Sequence, residues 1–396
     1  MKLLHVIASC NPDGGGPVEG VLRLHEAFEA AGHSSEMLTL DRPDDPWVSD
    51  CPMPVHAKGA PAPDGSGPLA SLRRWARRSP EAVNWLADNL ASYDGVIVDG
   101  LWNYATRAAR LVLPGSGIPY VVFPHGMLDP WFREQYPLKD AVKRVLWRVN
   151  EGPLMHAATA GAFTCERELE LARGTWKPWG VRGEIVGYGT SVPPFAPGQV
   201  EAFRKLVPEI GERPYLLFMS RLHPKKGCEI LLDAFEATLD QHDYALVMAG
   251  PGDDDYRQAL LSRQSARRAG ERIAWPGMLQ GDAKWGALQG CEAMALISHQ
   301  ENFGVIVAEA LACSRPVVIS DQVNIAPEIV RARAGIVCAT DVDGAAAAIR
   351  EIASLEASER DAMGERGRKL FEQQFEIVAV AARLIELLSI EARAAK

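Results

Sequence analysis

The residues best suited to chemistry are two glutamates, Glu301 and Glu309, with Asn302-Phe303-Gly304-Val305 following the first. A carboxylate presents two acceptor oxygens and can grip a pair of neighbouring hydroxyls. Gly304 lets a ligand approach the backbone with no Cβ in the way. A helix starting near Val305 would offer its first N–H groups to an anion. Diol, phosphate, diol is the layout of a nucleoside diphosphate sugar. Taken singly, Glu301 also reads as a loop-tip charge and Glu309 as a solvated helix residue; taken together they mark a candidate donor site.

Regular elements must hold these groups. An apolar run, Ala293 to Ile297, stops at Ser298; a helix is expected over about Val305 to Cys313; a second apolar run covers Pro316 to Ser320. Strand, loop, helix, strand puts the loop at the carboxyl edge of a parallel sheet, where open α/β folds bind ligands. The chain opens in the same way, with Leu3 to Ala8 followed by a glycine-rich turn and Pro17 at a first helical position. Gly14-Gly15-Gly16 offers backbone amides to a phosphate, or is simply a tight turn that needs glycine. Gly14, Gly16 and Gly20 miss the dinucleotide spacing G-x-G-x-x-G by one residue, and Asp41 sits roughly where a ribose-binding acid would. A nicotinamide oxidoreductase therefore stays open as an alternative.

At 396 residues the chain exceeds one compact core, and two domains are expected. A net charge of −9 argues against bulk nucleic-acid binding, which calls for a basic surface. The seven cysteines are scattered, odd in number and without a C-x-x-C pair, which fits a reducing cytoplasm. No apolar run nears the ~18 residues of a membrane span. Met1 to Cys10, running into Asn11-Pro12-Asp13, reads as a first strand and not as a signal peptide.

Glu301 and Glu309 around Phe303-Gly304, followed by Ala310-Leu311-Ala312, resemble the signature of the retaining glycosyltransferases of family 4, which have the GT-B fold. Upstream, Ser220-Arg221-Leu222-His223-Pro224-Lys225-Lys226-Gly227 is similar to that family's S-R-x-x-x-x-K-G loop. The resemblance implies that Arg221 and Lys226 stabilise the charge developing on a departing diphosphate. It further implies that Glu301 grips the donor sugar, that Glu309 grips the ribose, and that the amides at Phe303 and Gly304 hold the phosphate. Pro276-Gly277-Met278-Leu279 resembles the loop that lies against the nucleotide base, and Pro124-His125-Gly126-Met127-Leu128 resembles a segment of members that build bacterial exopolysaccharides. By that resemblance His125 hydrogen-bonds the transferred sugar or its phosphate, and Asp129 to Trp131 shape the acceptor side. The paired aspartates after Gly252 suggest a metal, but the family is generally metal-independent, with arginine and lysine in the cation's place. The sequence departs from the family at Gly187-Tyr188-Gly189-Thr190, where P-N-G is common, and at Ser298-His299, where proline-serine is usual.

Two stretches combine arginine or lysine with tryptophan: Leu69 to Leu90, with Arg73, Arg74, Trp75, Arg77 and Arg78, and Leu138 to Val149, with Lys139, Lys143, Arg144, Trp147 and Arg148. Such helices can lie on an anionic lipid surface, or be solvated faces with one buried aromatic. Asp41 to Gly67, rich in proline, glycine and aspartate, reads as an extended surface loop. Val181 to Pro197 is the linker candidate.

The expectation is an α/β protein of GT-B fold, two Rossmann-like doubly wound parallel-sheet domains facing a cleft: an acceptor domain over 1–190, a nucleotide-sugar domain over 198–375, and a last helix over 376–396 crossing back to the first domain. By the resemblance the chain moves a hexose, with retention, from a GDP- or UDP-sugar to a saccharide hydroxyl, on a polyprenyl-linked acceptor, in bacterial polysaccharide assembly. The catalytic set is His125, Arg221, Lys226 and Glu301, and the donor contacts add Gly15, Gly16, Gly277, Met278, Asn302, Phe303, Gly304, Val305 and Glu309. No cofactor and no metal are expected, and the partners are the nucleotide sugar, the acceptor and the surface of the cytoplasmic membrane, with no nucleic acid. A nucleotide-sugar epimerase of the same architecture is the alternative, ahead of the NAD-dependent oxidoreductase.

Overall fold

The computed structural model describes residues 1–12, 15–60, 78–131, 133, 137–265 and 268–394. The chain forms two compact units, Met1–Gly189 with Ile377–Lys396, and Thr190–Glu376.

The first unit is built on a seven-stranded, wholly parallel sheet in the order β3-β2-β1-β4-β5-β6-β7. Its strands are β1 (Lys2–Ile7), β2 (Ser34–Thr39), β3 (Val55–Ala57), β4 (Gly95–Asp99), β5 (Tyr120–Phe123), β6 (Ala160–Phe163) and β7 (Gly183–Ile185). The central strands are near-continuous apolar runs because both faces of a parallel sheet are covered. Alternate residues divide between the faces. Leu4, Val6, Val96, Val98 and Val122 enter one core with Leu86 and Leu154, while Leu3, Ile97, Val121 and Phe123 enter the other with Phe28. The helix Ile377–Ala394 completes the second core, laying Val380, Ala381, Leu384 and Leu388 against it.

The expected surface loop at 41–67 departs from its reading over 41–60, and 61–67 lie outside the described residues. It contains a short helix, Pro46–Ser49, and the edge strand β3, which pairs Met37 with Val55 and Thr39 with Ala57. Three residues of Val-His-Ala are too few for a periodicity signal. The arginines and tryptophan at 73–77 lie outside the described residues, as does Gly14. The second basic stretch is helical over Pro137–Leu146 and then widens to a π-helix over Trp147–Glu151. Trp147 is buried in the core, where its indole donates to the Pro178 carbonyl at 3.2 Å and its ring stacks on Trp179. Trp147 is therefore no membrane anchor.

The second unit repeats the plan with six strands in the order β10-β9-β8-β11-β12-β13. These are β8 (Tyr215–Met219), β9 (Ala245–Ala249), β10 (Ile273–Gly277), β11 (Ala293–Leu296), β12 (Val317–Ser320) and β13 (Gly335–Cys338). In each unit the strand order reverses once, between β1 and β4 and between β8 and β11, and a doubly wound sheet opens its ligand crevice at that point.

Candidate functional site

Lys226 and Glu301 meet at the second unit's switch point. Lys226 ends the 3-10 turn Pro224–Lys226 after β8, Glu301 lies in the loop after β11, and the two side chains form an ion pair with both largely buried. The loops that carry them are stitched together: the His299 amide donates to the Lys225 carbonyl at 2.8 Å, and Gly227 lies so close to β11 that a Cβ would sit 1.9 Å from the Ile297 oxygen. The Glu301 amide donates to the Gln322 carbonyl at 3.1 Å, and the Asn324 amide donates to the Glu301 carbonyl at 2.9 Å, so the backbone beneath the carboxylate is fixed from β12 as well.

Gly304, at φ 74°, turns the chain into the helix Val305–Ala312, whose first amides lack intrahelical acceptors. Phe303 is buried edge-on against Phe375, and Asn302 accepts from the Asn324 amide nitrogen at 3.3 Å. Glu309 is not a solvated helix residue: it is buried, and Lys284 from the helix Gly281–Gly290 holds it at 2.8 Å. Lys284 carried no signal beyond an ordinary helix lysine. Gly277, at φ 74°, and the exposed Met278 follow β10, and the Gly277 carbonyl accepts from Gly250 at 2.7 Å. Arg221 is exposed and, among the described residues, makes no ion pair. Thus Lys226 and Glu301 are brought into contact, Glu309 pairs elsewhere, and Arg221, Gly277 and Met278 stand on separate loops of the same sheet edge.

The paired aspartates after Gly252 start a helix: Asp253 accepts from the Asp255 amide at 3.1 Å and the Tyr256 amide at 3.3 Å. Among the described residues no group of three histidine, cysteine or carboxylate side chains is placed to hold a metal ion.

In the first unit, the Gly15 amide donates to the Pro12 carbonyl at 3.1 Å, so that donor is engaged within the turn. The Gly16 carbonyl accepts from the Tyr188 hydroxyl, and Gly20 leaves room for the same phenol. Tyr188, where the family commonly has asparagine, thus closes over the helix Gly16–Ala30. Asp41 accepts from the Ser9 hydroxyl at 2.6 Å and the Cys10 amide at 2.7 Å, which ties both oxygens to the β1 loop. His125, after β5, is held by Asp99, which in turn holds His5. Sequence reasoning passed over Asp99 and His5. The available signal was a lone carboxylate closing the otherwise apolar strand Gly-Val-Ile-Val-Asp beside the switch point.

Two open parallel α/β sheets with their loops gathered at switch points define the GT-B class. Solved structures agree in fold: sucrose-phosphate synthase from Thermosynechococcus elongatus (TM-score 0.79, 19% identity, 100% of both chains) and Anabaena Alr3699/HepE in complex with UDP (TM-score 0.78, 17% identity, 98% of this chain and 100% of that one). Residues 199–370 match the family described as glycosyl transferases group 1 and residues 15–189 match the glycosyl transferase 4-like domain, together most of the chain. The chain belongs to the group 1 glycosyl transferases. Among curated relatives, an uncharacterized glycosyltransferase of Methanocaldococcus jannaschii is 31% identical over 119 residues, 30% of each chain. The matched segments span between 30% and 50% of such relatives' own length.

Proposed function

We propose that this chain transfers a hexose from a nucleoside diphosphate sugar to a saccharide hydroxyl, with retention at the anomeric carbon and without a metal. The observation that carries this reading is the Lys226–Glu301 pair at the β8/β11 switch point, followed by the glycine-led helix of Val305. A cation, a carboxylate and a helix N-terminus on one sheet edge suit a sugar diphosphate. The UDP bound by the Anabaena relative supports a nucleotide of that kind.

In the proposed reaction the acceptor oxygen bonds to the anomeric carbon as the carbon–oxygen bond to the diphosphate breaks, and the acceptor's proton passes to the leaving phosphate on the same face. Arg221, Lys226 and the amides at Phe303 and Gly304 stabilise the charge that develops. Glu301 grips the sugar hydroxyls and Glu309 the ribose, while His125 serves the transferred sugar.

A lipid-linked acceptor at a membrane surface is part of the proposal. Leu138, Val142, Val145 and Val149 are each more than half exposed, at helical spacing, with Lys139 and Arg148 beside them. Such a face suits an interfacial helix on anionic lipid.

The test is a thermal-shift panel of UDP, GDP, ADP and NAD with magnesium or EDTA, followed by diphosphate release from the matching sugar. One nucleoside diphosphate raising Tm in EDTA, with release that depends on acceptor, is the expected result. Stabilisation by NAD alone would overturn the proposal.

A further inference from the structure

Three side chains of the first unit form a chain through its sheet. His5, in the middle of β1 and 0% exposed, places Nδ1 2.8 Å from Asp99 Oδ2. Asp99 ends β4, in register with Ile7, and its other oxygen lies 3.0 Å from His125 Nε2. The His125 ring stacks on Phe123 at 4.7 Å with an interplanar angle of 2° and meets Tyr188 edge-on, while its backbone holds φ 49°. Left-handed backbone at a residue with a Cβ is strained, and such outliers gather at functional positions.

The protons on these groups follow from what each atom can do. Burial by itself would raise the Asp99 carboxyl, yet the two histidines hold it below the ordinary carboxylate range. An ionised carboxylate only accepts, so both facing ring nitrogens carry hydrogen. His5 is then the Nδ1–H tautomer. Its Nε2 is buried with no partner, and adding a proton there would bury an N–H without an acceptor. His5 braces Asp99 from inside the sheet. His125 carries a hydrogen on Nε2, towards Asp99, so the carboxylate sets which ring edge faces away from the sheet.

We propose that Asp99 is a positioning residue for His125, setting its tautomer and ring orientation, and that His5 holds Asp99 in place from the sheet interior. The proposal rests on the reading that His125 serves the transferred sugar. The role differs from structural packing, because it acts on the state of one nitrogen.

The test uses the full chain labelled with ¹⁵N-histidine. Long-range ¹H–¹⁵N spectra of the wild type should show a hydrogen held on Nε2 of His125. Asp99→Asn should disturb that signature and lower kcat by about 10²-fold, on the scale of losing one preorganised hydrogen bond to the reacting sugar, at unchanged donor KM. In a His125→Ala background, Asp99→Asn should cost nothing further, because both changes remove the same function. Should Asp99→Asn not fold, His5→Leu, with His5→Asn restoring a donor to Asp99, carries the same readouts. A folded variant with the wild-type tautomer and kcat, or full additivity in the double variant, overturns the proposal. Full activity in His125→Ala alone instead removes the reading of His125 and the catalytic half of this proposal, and the spectra then decide whether Asp99 sets the tautomer.

Discussion

The Lys226 ammonium and the Glu301 carboxylate close on one another across the switch point between β8 and β11, each with less than a fifth of its side chain exposed. A donor that uses both groups must separate them, so each holds the other in reserve for a phosphate and a diol. Lys226→Ala and Glu301→Ala are expected to lower kcat/KM by about 10²–10³-fold each, the scale of losing one preorganised charge partner. The double variant should lose less than the product of the two. Steady-state kinetics on variants with Tm near the wild type check this; near-wild-type rates would remove the site from this loop.

Glycines in left-handed backbone divide by what surrounds them. Gly15, at φ 75°, has open space where a Cβ would go, whereas Gly227, at φ 64°, would drive a Cβ to 1.9 Å from the Ile297 oxygen. Gly15→Ala should cost about 1–2 kcal/mol through backbone strain alone. Gly227→Ala must also push the Lys226 loop away from β11 and should cost more than about 4 kcal/mol or prevent folding. Equal melting temperatures for the two would contradict the close approach.

Both sheets were legible because parallel strands buried on two faces leave continuous apolar runs, as in Gly95–Asp99 and Tyr120–Phe123. The edge strands β3 and β7, three residues each, leave no such run. The Glu301 loop was legible because its residues are contiguous. The His5–Asp99–His125 chain was not, since β1, β4 and β5 contribute one residue each from positions far apart in sequence, and a histidine inside an apolar strand reads as core. Trp147 takes the second of the two readings of its stretch, a solvated face with one buried aromatic.

Glu309 and Lys284 provide a stability test separate from activity. Lys284→Met leaves the buried Glu309 carboxylate without its cation, which costs roughly 3–5 kcal/mol. Glu309→Gln removes the charge and should cost less. Denaturant melts of the two variants should therefore rank Lys284→Met as the weaker protein, and the reverse order would show that Glu309 is not held by Lys284.

The exposed stripe of Leu138, Val142, Val145 and Val149 predicts sedimentation with vesicles of anionic lipid and little with neutral ones. Replacing Val142 and Val145 by serine removes surface apolar groups that no core needs, so Tm should hold within about 2 °C while vesicle binding falls several-fold. Binding unchanged by the double replacement would move the membrane contact away from this helix.

Glu36 sets an acid limit on the first unit. Burial would raise its carboxyl, but Lys2 at 2.8 Å, the Tyr93 hydroxyl and His56 at 2.8 Å outweigh it and hold it at about 2, against an ordinary 4.5. The folded state thus binds the proton more weakly than the unfolded chain. The stabilisation is fully present above the unfolded value and disappears as pH falls from about 4.5 through about 2. Glu36→Gln should lower stability by on the order of 1–3 kcal/mol at pH 7, the scale of hydrogen bonds to a charged group. Urea melts of both proteins at pH 7, 5 and 3.5 measure the gap, which should stay constant between the first two and narrow at the third. A gap that widens in acid would mean that the folded state favours protonated Glu36, and that the three donors do not hold it as a carboxylate.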